Sequence, residues 1–304
     1  MDSFIKGPSV VALGFFDGVH PGHKLILSKT SEIAQEYSLE PLAFTFSEHP
    51  KGAPLLCTLE DRLEIIKSLG LESIVVPFNS DLANMEAEEF FENVLVKRFK
   101  AKYLVVGDNY HFGAKARGDV ELLRELARKF NVEAVVLPHV YSAELGDISS
   151  SHLRQLITSG QLSQAAKIWQ RPLTWSGTVI HGRKVGRTLG IPTANIEIPA
   201  SLVRPPRGVF AARSFVTGIE DLENRPITGM AYWGNRPTFD NGNDLLEVFL
   251  LNPPRPIGIN ELYGCHLKAE LWQMVRGQLT FKNSQELVEQ IKLDRHNVQA
   301  FFTT

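Results

Sequence analysis

Two histidines three residues apart, His20 and His23, lie in the stretch Gly14-Phe15-Phe16-Asp17-Gly18-Val19-His20-Pro21-Gly22-His23. If this stretch is a turn opening a helix, that spacing puts both imidazoles on one face. They would stand beside the free N–H groups and the positive dipole end that a helix start offers to an anion. Gly14, Gly18 and Gly22 can adopt backbone angles closed to other residues and let phosphates approach the main chain. Imidazoles held there can hydrogen-bond the charge that builds up when the α-phosphorus of a nucleotide is attacked. The stretch therefore suits nucleotidyl transfer better than passive binding. The bland alternative is a histidine pair on a surface turn, and a zinc site would need third and fourth ligands that the pair does not bring.

Two further stretches carry phosphate chemistry. Ile148-Ser149-Ser150-Ser151-His152-Leu153-Arg154 offers hydroxyls, N–H groups and a guanidinium, so Ser150, Ser151 and Arg154 suit the β- and γ-phosphates of ATP. Gly182-Arg183-Lys184-Val185-Gly186-Arg187-Thr188-Leu189-Gly190 is not a Walker A loop: its glycines are too close together and Arg187 stands where the lysine belongs. It can still cradle phosphate at Gly186 and Arg187. Thr193 and Asn195, just beyond it, offer neutral oxygens to a Mg²⁺ that also takes phosphate oxygens and water. Taken singly these fragments are ordinary. A serine run ahead of a helix is most often a cap, and His49-Pro50 is most often a turn.

The elements that must position these residues follow from periodicity. Apolar runs at Val10–Leu13, Leu42–Phe46, Ser73–Val76, Tyr103–Val106 and Ala134–Leu137 read as strands. Helical patterns at Lys24–Tyr37, Leu59–Leu69, Glu86–Phe99 and Val120–Phe130 alternate with them. Thr58 is the expected cap of the second helix, with Asp61 three residues on and Gly70 past its end. Such alternation predicts right-handed crossovers and a parallel, Rossmann-like sheet, with ligands at the carboxyl ends of its strands. The loops bearing His20 and His23, His49, Asn109 and Ser150 all fall at those ends. A helix over Leu162–Trp169 and the turn Gln170-Arg171-Pro172 close this domain, assigned to residues 1–170. Residues 171–304 read as β-rich, with strands expected at Leu173–His181, Val209–Val216, Ile227–Tyr232, Leu246–Leu251 and His266–Trp272 and a helix over Ser284–Phe302.

Composition bounds the function class. The chain has 304 residues, 43% hydrophobic and 22% charged, with a formal net charge of -2. That is an ordinary globular composition, with no general attraction to nucleic acid or an anionic membrane. Two cysteines, Cys57 and Cys265, give neither a disulfide framework nor a metal-knuckle spacing, which fits a reducing cytoplasm. No apolar stretch reaches membrane-spanning length, and the N-terminal residues run into the first strand with no room for a signal peptide.

The pattern Gly-x-Phe-Asp-Gly-x-His-x-Gly-His resembles the HxGH signature of nucleotidyltransferases, in the form found in bacterial bifunctional riboflavin kinase/FMN adenylyltransferases (FAD synthetases). The second half resembles the same family's kinase module through Gly186-Arg187-Thr188-Leu189-Gly190, Pro192-Thr193-Ala194-Asn195, Arg207-Gly208-Val209-Phe210, Asn235-Arg236-Pro237-Thr238-Phe239 and Glu247. The resemblance implies a nucleotidyltransferase domain followed by an antiparallel six-stranded β-barrel with a C-terminal helix. It implies ATP-dependent phosphorylation of riboflavin to FMN in the barrel and adenylylation of FMN to FAD, with release of pyrophosphate, in the first domain. Catalytic roles then fall on His20, His23 and Glu247, the last as general base. Nucleotide contacts fall on Gly14, Phe16, Asp17, Gly18, Gly22, Ser150, Ser151, Arg154, Gly186 and Arg187, flavin contacts on His49, Asn109, Arg207 and Arg236, and Mg²⁺ on Thr193 and Asn195. The implied partners are riboflavin, FMN and ATP, with no nucleic acid and no membrane.

This chain departs from the family at Asn109 and Tyr110, where Asp-Phe is expected, and at Phe249 and Asn252, where His and Asp are common. Such changes keep open a flavin-binding regulatory protein with one or both activities lost. Another HxGH adenylyltransferase is a further alternative; a tRNA-synthetase-like fragment is disfavoured by the lack of a Lys-Met-Ser-Lys-Ser loop and of a basic bias.

Overall fold

The computed structural model describes Ile5 and residues 7–181, 193–223, 225–234 and 245–303. The chain forms two compact units, Met1–His152 and Leu153–Thr304.

The first unit is a five-stranded parallel sheet in the order β3-β2-β1-β4-β5. Its strands are β1 (Ser9–Leu13), β2 (Glu40–Phe46), β3 (Glu72–Val76), β4 (Ala101–Gly107) and β5 (Glu133–Leu137). Each contains one of the predicted apolar runs. β1 is central and buried along its whole length, and a strand covered on both faces has no polar side to alternate with. One face of the sheet packs Val10, Ala12, Ala43 and Val105 against Ile26, Leu27 and Ile33 of helix α1 (Pro21–Tyr37) and Ile66 of α2 (Leu59–Ser68). The other packs Val11, Leu13, Phe44 and Val106 against Phe90, Phe91, Leu95, Leu123 and Leu126. Between β3 and β4 run α3 (Ser80–Asn84), α4 (Ala87–Glu89) and a π-helical stretch Phe90–Arg98. There Phe99 N bonds Val94 O, five residues back, within the span predicted as one helix. Helix α5 (Val120–Lys129) follows β4, capped by Asp119, which accepts from the N–H groups of Glu121 and Leu122. The expected Thr58 cap is present, its hydroxyl accepting from Asp61 N at 3.2 Å.

After β5 come a short hairpin, β6 (Tyr141–Ser142) and β7 (Gly146–Asp147), and α6 (Ser150–Thr158), whose residues straddle the division between the units. The second unit continues with α7 (Leu162–Trp169), which ends at Gln170 in the left-handed region at φ 60. A six-stranded antiparallel sheet then follows in the order β8-β13-β10-β11-β12-β9. The strands are β8 (Leu173–Thr178), β9 (Ala194–Glu197), β10 (Gly208–Thr217), β11 (Ile227–Gly234), β12 (Leu245–Leu250) and β13 (His266–Gly277). Beyond β8, Ile180 N donates to Asn195 O at 2.9 Å, bringing the two edges together. Phe210, Ala231, Leu246, Ile196 and Leu271 are fully buried, and Trp175 meets Trp233 edge-on at 4.8 Å. The strand β9 is not among the strands expected from the sequence pattern.

The C-terminal helix (Ser284–Thr303) covers the opposite face of the sheet, where Val298 joins Val209, Ala211, Met230 and Leu251. Asp294, 1% exposed, is gripped by Arg276 of β13, whose Nε donates to both carboxylate oxygens at 2.9 Å, and by Gln290 Nε2 at 2.9 Å. A carboxylate that deep in the helix interface requires such charged and hydrogen-bonded partners.

Candidate active sites

The first site begins where β1 ends, at the point in the strand order where connections run off to β2 on one side and β4 on the other, and where open α/β sheets leave a crevice. The backbone makes a compact left-handed turn: Phe16 at φ 55, Gly18 at φ 73 and Val19 at φ 43. Of the three glycines only Gly18 is needed for a positive φ. Gly14 and Gly22 serve a different purpose, because a Cβ at Gly14 would lie 2.8 Å from the buried ring of Phe16, and one at Gly22 3.2 Å from the ring of His20. Non-glycine residues in this region cost on the order of 1–3 kcal/mol each, so the turn needs external support.

That support is specific. The Phe15 carbonyl accepts from Arg62 Nη1 at 2.7 Å and from Thr45 Oγ1 at 2.8 Å, while Arg62 Nη2 reaches the Phe46 carbonyl at 2.7 Å. The same guanidinium lies over the Phe15 ring, 4.5 Å from its centroid. Burial lowers the pKa of Arg62, opposed by the neighbouring Cys57 and Asp17. Asp17, also buried, accepts from Leu56 N through both oxygens, at 2.9 and 3.1 Å. Arg62 and Thr45 were not among the residues singled out from the sequence. The available signal was an arginine four residues before Ile66, on the buried face of α2.

The histidines sit as their spacing predicts. His20 caps α1, with Pro21 in its first turn, and its ring stacks on that of His23 with centroids 3.7 Å apart. His23 also meets the Phe16 ring edge-on at 5.4 Å. His49 joins the group through an edge-on contact with Phe15 at 4.9 Å. The serine turn is tied in as well, for Ser150 Oγ donates to the Asp17 carbonyl at 3.0 Å. Ser151 and Arg154 follow on the first turns of α6. Asn109 is exposed in the loop after β4, and a Cβ on Gly107 would lie 3.3 Å from its Oδ1. Tyr110 is half-buried beside Phe112, and burial raises its pKa.

A hydrogen-bond chain that the sequence did not suggest links that loop to the serine turn. Asp108 Oδ2 accepts from His139 N at 2.9 Å, His139 Nε2 pairs with Asp147 Oδ1, and Asp147 Oδ2 accepts from Ser149 Oγ at 2.6 Å. Ser149 Oγ in turn accepts from His152 N at 3.2 Å. The Ser149 hydroxyl holds the Asp147 carboxyl below the usual carboxylate range; partial burial opposes it, and the His139 hydrogen bond and the charges of His139 and His152 add to the lowering.

The second constellation is on the barrel. Strand register sets Glu247 directly opposite Asn195 on one side and Tyr232 on the other. Thr193 Oγ1 donates to Glu247 Oε2 at 3.5 Å, and Asn195 Nδ2 donates to the Thr193 carbonyl at 3.2 Å. Of the two amide atoms of Asn195, only the acceptor Oδ1 is chemically suited to a cation. Arg207 is exposed at the start of β10, where its carbonyl accepts from Gln278 N at 3.1 Å. Phe249 packs with Met230 beneath the C-terminal helix, on the face that carries Glu247. Gly186, Arg187 and Arg236 lie outside the described residues. Among the described residues no three His, Cys, Asp or Glu side chains gather as a metal cluster.

Comparisons with known proteins divide the chain in the same way. Residues 3–152 match the family model for FAD synthetase and residues 169–302 that for riboflavin kinase. The bifunctional riboflavin kinase/FMN adenylyltransferase of Listeria monocytogenes is 34% identical over 304 residues, covering 96% of this chain and 92% of that protein. Its counterpart in Escherichia coli K12 is 31% identical, again covering 96% and 92%. A crystal structure from Streptococcus pneumoniae described as a macrolide-efflux protein aligns with a TM-score of 0.83 at 29% identity, over 97% of this chain and 94% of that one. Among the described residues no helix is long and apolar enough to cross a membrane.

Proposed function

This chain belongs to the bifunctional riboflavin kinase/FMN adenylyltransferase family, and from that premise we propose which of its residues carry each step. The enzyme phosphorylates riboflavin to FMN and adenylylates FMN to FAD, each with ATP. We place adenylyl transfer in residues 1–170 and the kinase in residues 171–304, with α6 and α7 spanning the interval between the two family matches.

In adenylyl transfer a phosphate oxygen of FMN attacks the α-phosphorus of ATP, an anhydride bond forms, and pyrophosphate leaves. The nucleophile is already anionic, so positioning and charge stabilisation suffice. His20 and His23 hydrogen-bond the charge growing on the α-phosphoryl group. Ser150, Ser151 and Arg154 hold the departing phosphates, the turn of Gly14, Phe16, Asp17, Gly18 and Gly22 seats the nucleotide, and His49 and Asn109 face the flavin. The observation that carries this assignment is the stacked His20–His23 pair at the α1 start, on a turn whose Asp17 carbonyl accepts from Ser150 of the serine turn.

In the kinase step the terminal ribityl hydroxyl of riboflavin attacks the γ-phosphorus, its proton passes to Glu247, and ADP leaves. A neutral hydroxyl benefits from a carboxylate that accepts its proton as the bond forms. Thr193 Oγ1 and Asn195 Oδ1, both neutral oxygens, fit the Mg²⁺ of Mg·ATP, which would supply neutralisation of phosphate charge. Gly186 and Arg187 are assigned to the nucleotide and Arg207 and Arg236 to the flavin. The cytoplasm is the proposed location, and no nucleic-acid partner is invoked.

Incubating the full-length protein with riboflavin and Mg·ATP and separating the flavins by chromatography tests the whole scheme. FAD is expected. FMN alone would limit the chain to its kinase, and unchanged riboflavin would return it to the flavin-binding alternative.

A further inference from the structure

One register row crosses five strands of the barrel. Arg276 on β13 faces Val209 on β10, Val209 faces Tyr232 on β11, Tyr232 faces Glu247 on β12, and Glu247 faces Asn195 on β9. Directly opposed residues share a face of the sheet, with Cβ atoms about 4.5–5.5 Å apart. Arg276 is occupied by Asp294 and Val209 by the core. Tyr232 stands between them and the proposed base, half-buried.

Its ring packs with the cluster under the C-terminal helix, but the hydroxyl needs a separate account. The phenol oxygen rests against Gly234, where any Cβ would collide with it, so β11 carries a glycine at the one place that seats this hydroxyl. Burial first, and then the charge of Glu247, raise the phenol's pKa, against the nearby Arg276 and Arg207. At neutral pH the group is thus an intact O–H, able both to donate and to accept. That is the partner a polyol calls for. A substrate whose terminal hydroxyl comes within about 2.6–3.2 Å of Glu247 lays the rest of its hydroxyl-bearing chain alongside the neighbouring residues of the row.

We propose that Tyr232 is a substrate-contacting residue of the kinase site, its phenol hydrogen-bonding the ribityl chain of riboflavin beside the hydroxyl that Glu247 deprotonates. The inference rests on the assignment of Glu247 as base. Tyr232→Phe keeps the packed ring and removes only the hydroxyl, so a purely structural role predicts no kinetic change. With full-length protein the KM for riboflavin should rise about 2- to 10-fold, the effect of one neutral hydrogen bond. The KM for ATP, the FMN-to-FAD rate and competition by lumiflavin, which has the flavin ring but no ribityl chain, should stay as in the wild type. Gly234→Ala, which crowds the hydroxyl out of place, should raise the riboflavin KM likewise and add little in the Tyr232→Phe background.

An unchanged riboflavin KM in Tyr232→Phe overturns the proposal. So does lumiflavin weakened in parallel, which would place the contact on the ring, or a shift confined to ATP. Glu247→Gln in the same assay separates the two levels of the argument. If it phosphorylates riboflavin normally, the base assignment falls; if it is inactive while Tyr232→Phe behaves as wild type, only the present inference falls.

Discussion

In the first unit the histidines stand on a turn shaped by left-handed residues and held by Arg62, Thr45 and Asp17, whereas in the second the carboxylate stands within a strand and its neighbours are fixed by hydrogen-bond register. The turn spends backbone strain to aim its side chains, and its shape depends on a few polar contacts that single substitutions can remove. The row needs no such supports. A one-residue slip of β12 would turn Glu247 into the barrel and bring Leu246 or Val248 out, an exchange the core forbids. A turn-borne site should therefore be fragile toward residues that never touch substrate, and a register-borne site toward its own members.

The largest effect expected is on the row. Glu247→Gln keeps size and hydrogen bonding but cannot accept a proton, so riboflavin phosphorylation should slow by roughly 100- to 10,000-fold. The same preparation supplied with FMN should make FAD at the normal rate, and failure there would overturn the separation into two sites. In the turn, His23→Ala should cost FAD formation from FMN on the order of a hundredfold or more, with riboflavin phosphorylation intact. Equal loss of both activities in a folded variant would contradict the comparison.

Arg62→Ala sharpens it, because this residue supports the turn from behind. Losing its bonds to the Phe15 and Phe46 carbonyls should slow FMN adenylylation on the order of 10- to 100-fold through misplacement of the turn and leave the kinase unaffected. Rates equal to wild type would show that the turn holds its shape unaided. The smallest effect concerns Asp147. Its folded-state pKa is lowered, so its contribution to stability is present above the unfolded value of about 4 and disappears as pH falls through the depressed folded value. Asp147→Asn should therefore be slightly less stable than wild type to urea at pH 7, and the difference should shrink as pH falls below the usual carboxylate range. A constant difference across that range would deny the carboxylate its role.

The legible parts of the sequence were those in which one principle decides. The strands of the first sheet are covered on both faces and read as apolar runs, and the His20–His23 spacing alone fixes a shared face. β9 was not legible, since Ala194–Glu197 is four residues long and its strand character comes from pairing with β12. Arg62 reads by type as a surface residue and is buried because two carbonyls need it. The left-handed angles expected of all three glycines fall on Phe16, Gly18 and Val19, whereas Gly14 and Gly22 leave room for the rings of Phe16 and His20. Tyr232 gained its meaning only when register set it against Glu247.

The place of β13 has a consequence for the order in which each chain becomes competent. It follows every other barrel strand in sequence yet lies inside the sheet, between β8 and β10, so on the ribosome β8 must wait for a partner made long after it. The first sheet has all its strands once Leu137 has emerged. A nascent chain thus gains a foldable adenylyltransferase while its barrel is still an incomplete set of strands with unpaired edges, and domains generally fold as units in the order they are made. The activity that acts second on the flavin is the one whose scaffold is finished first.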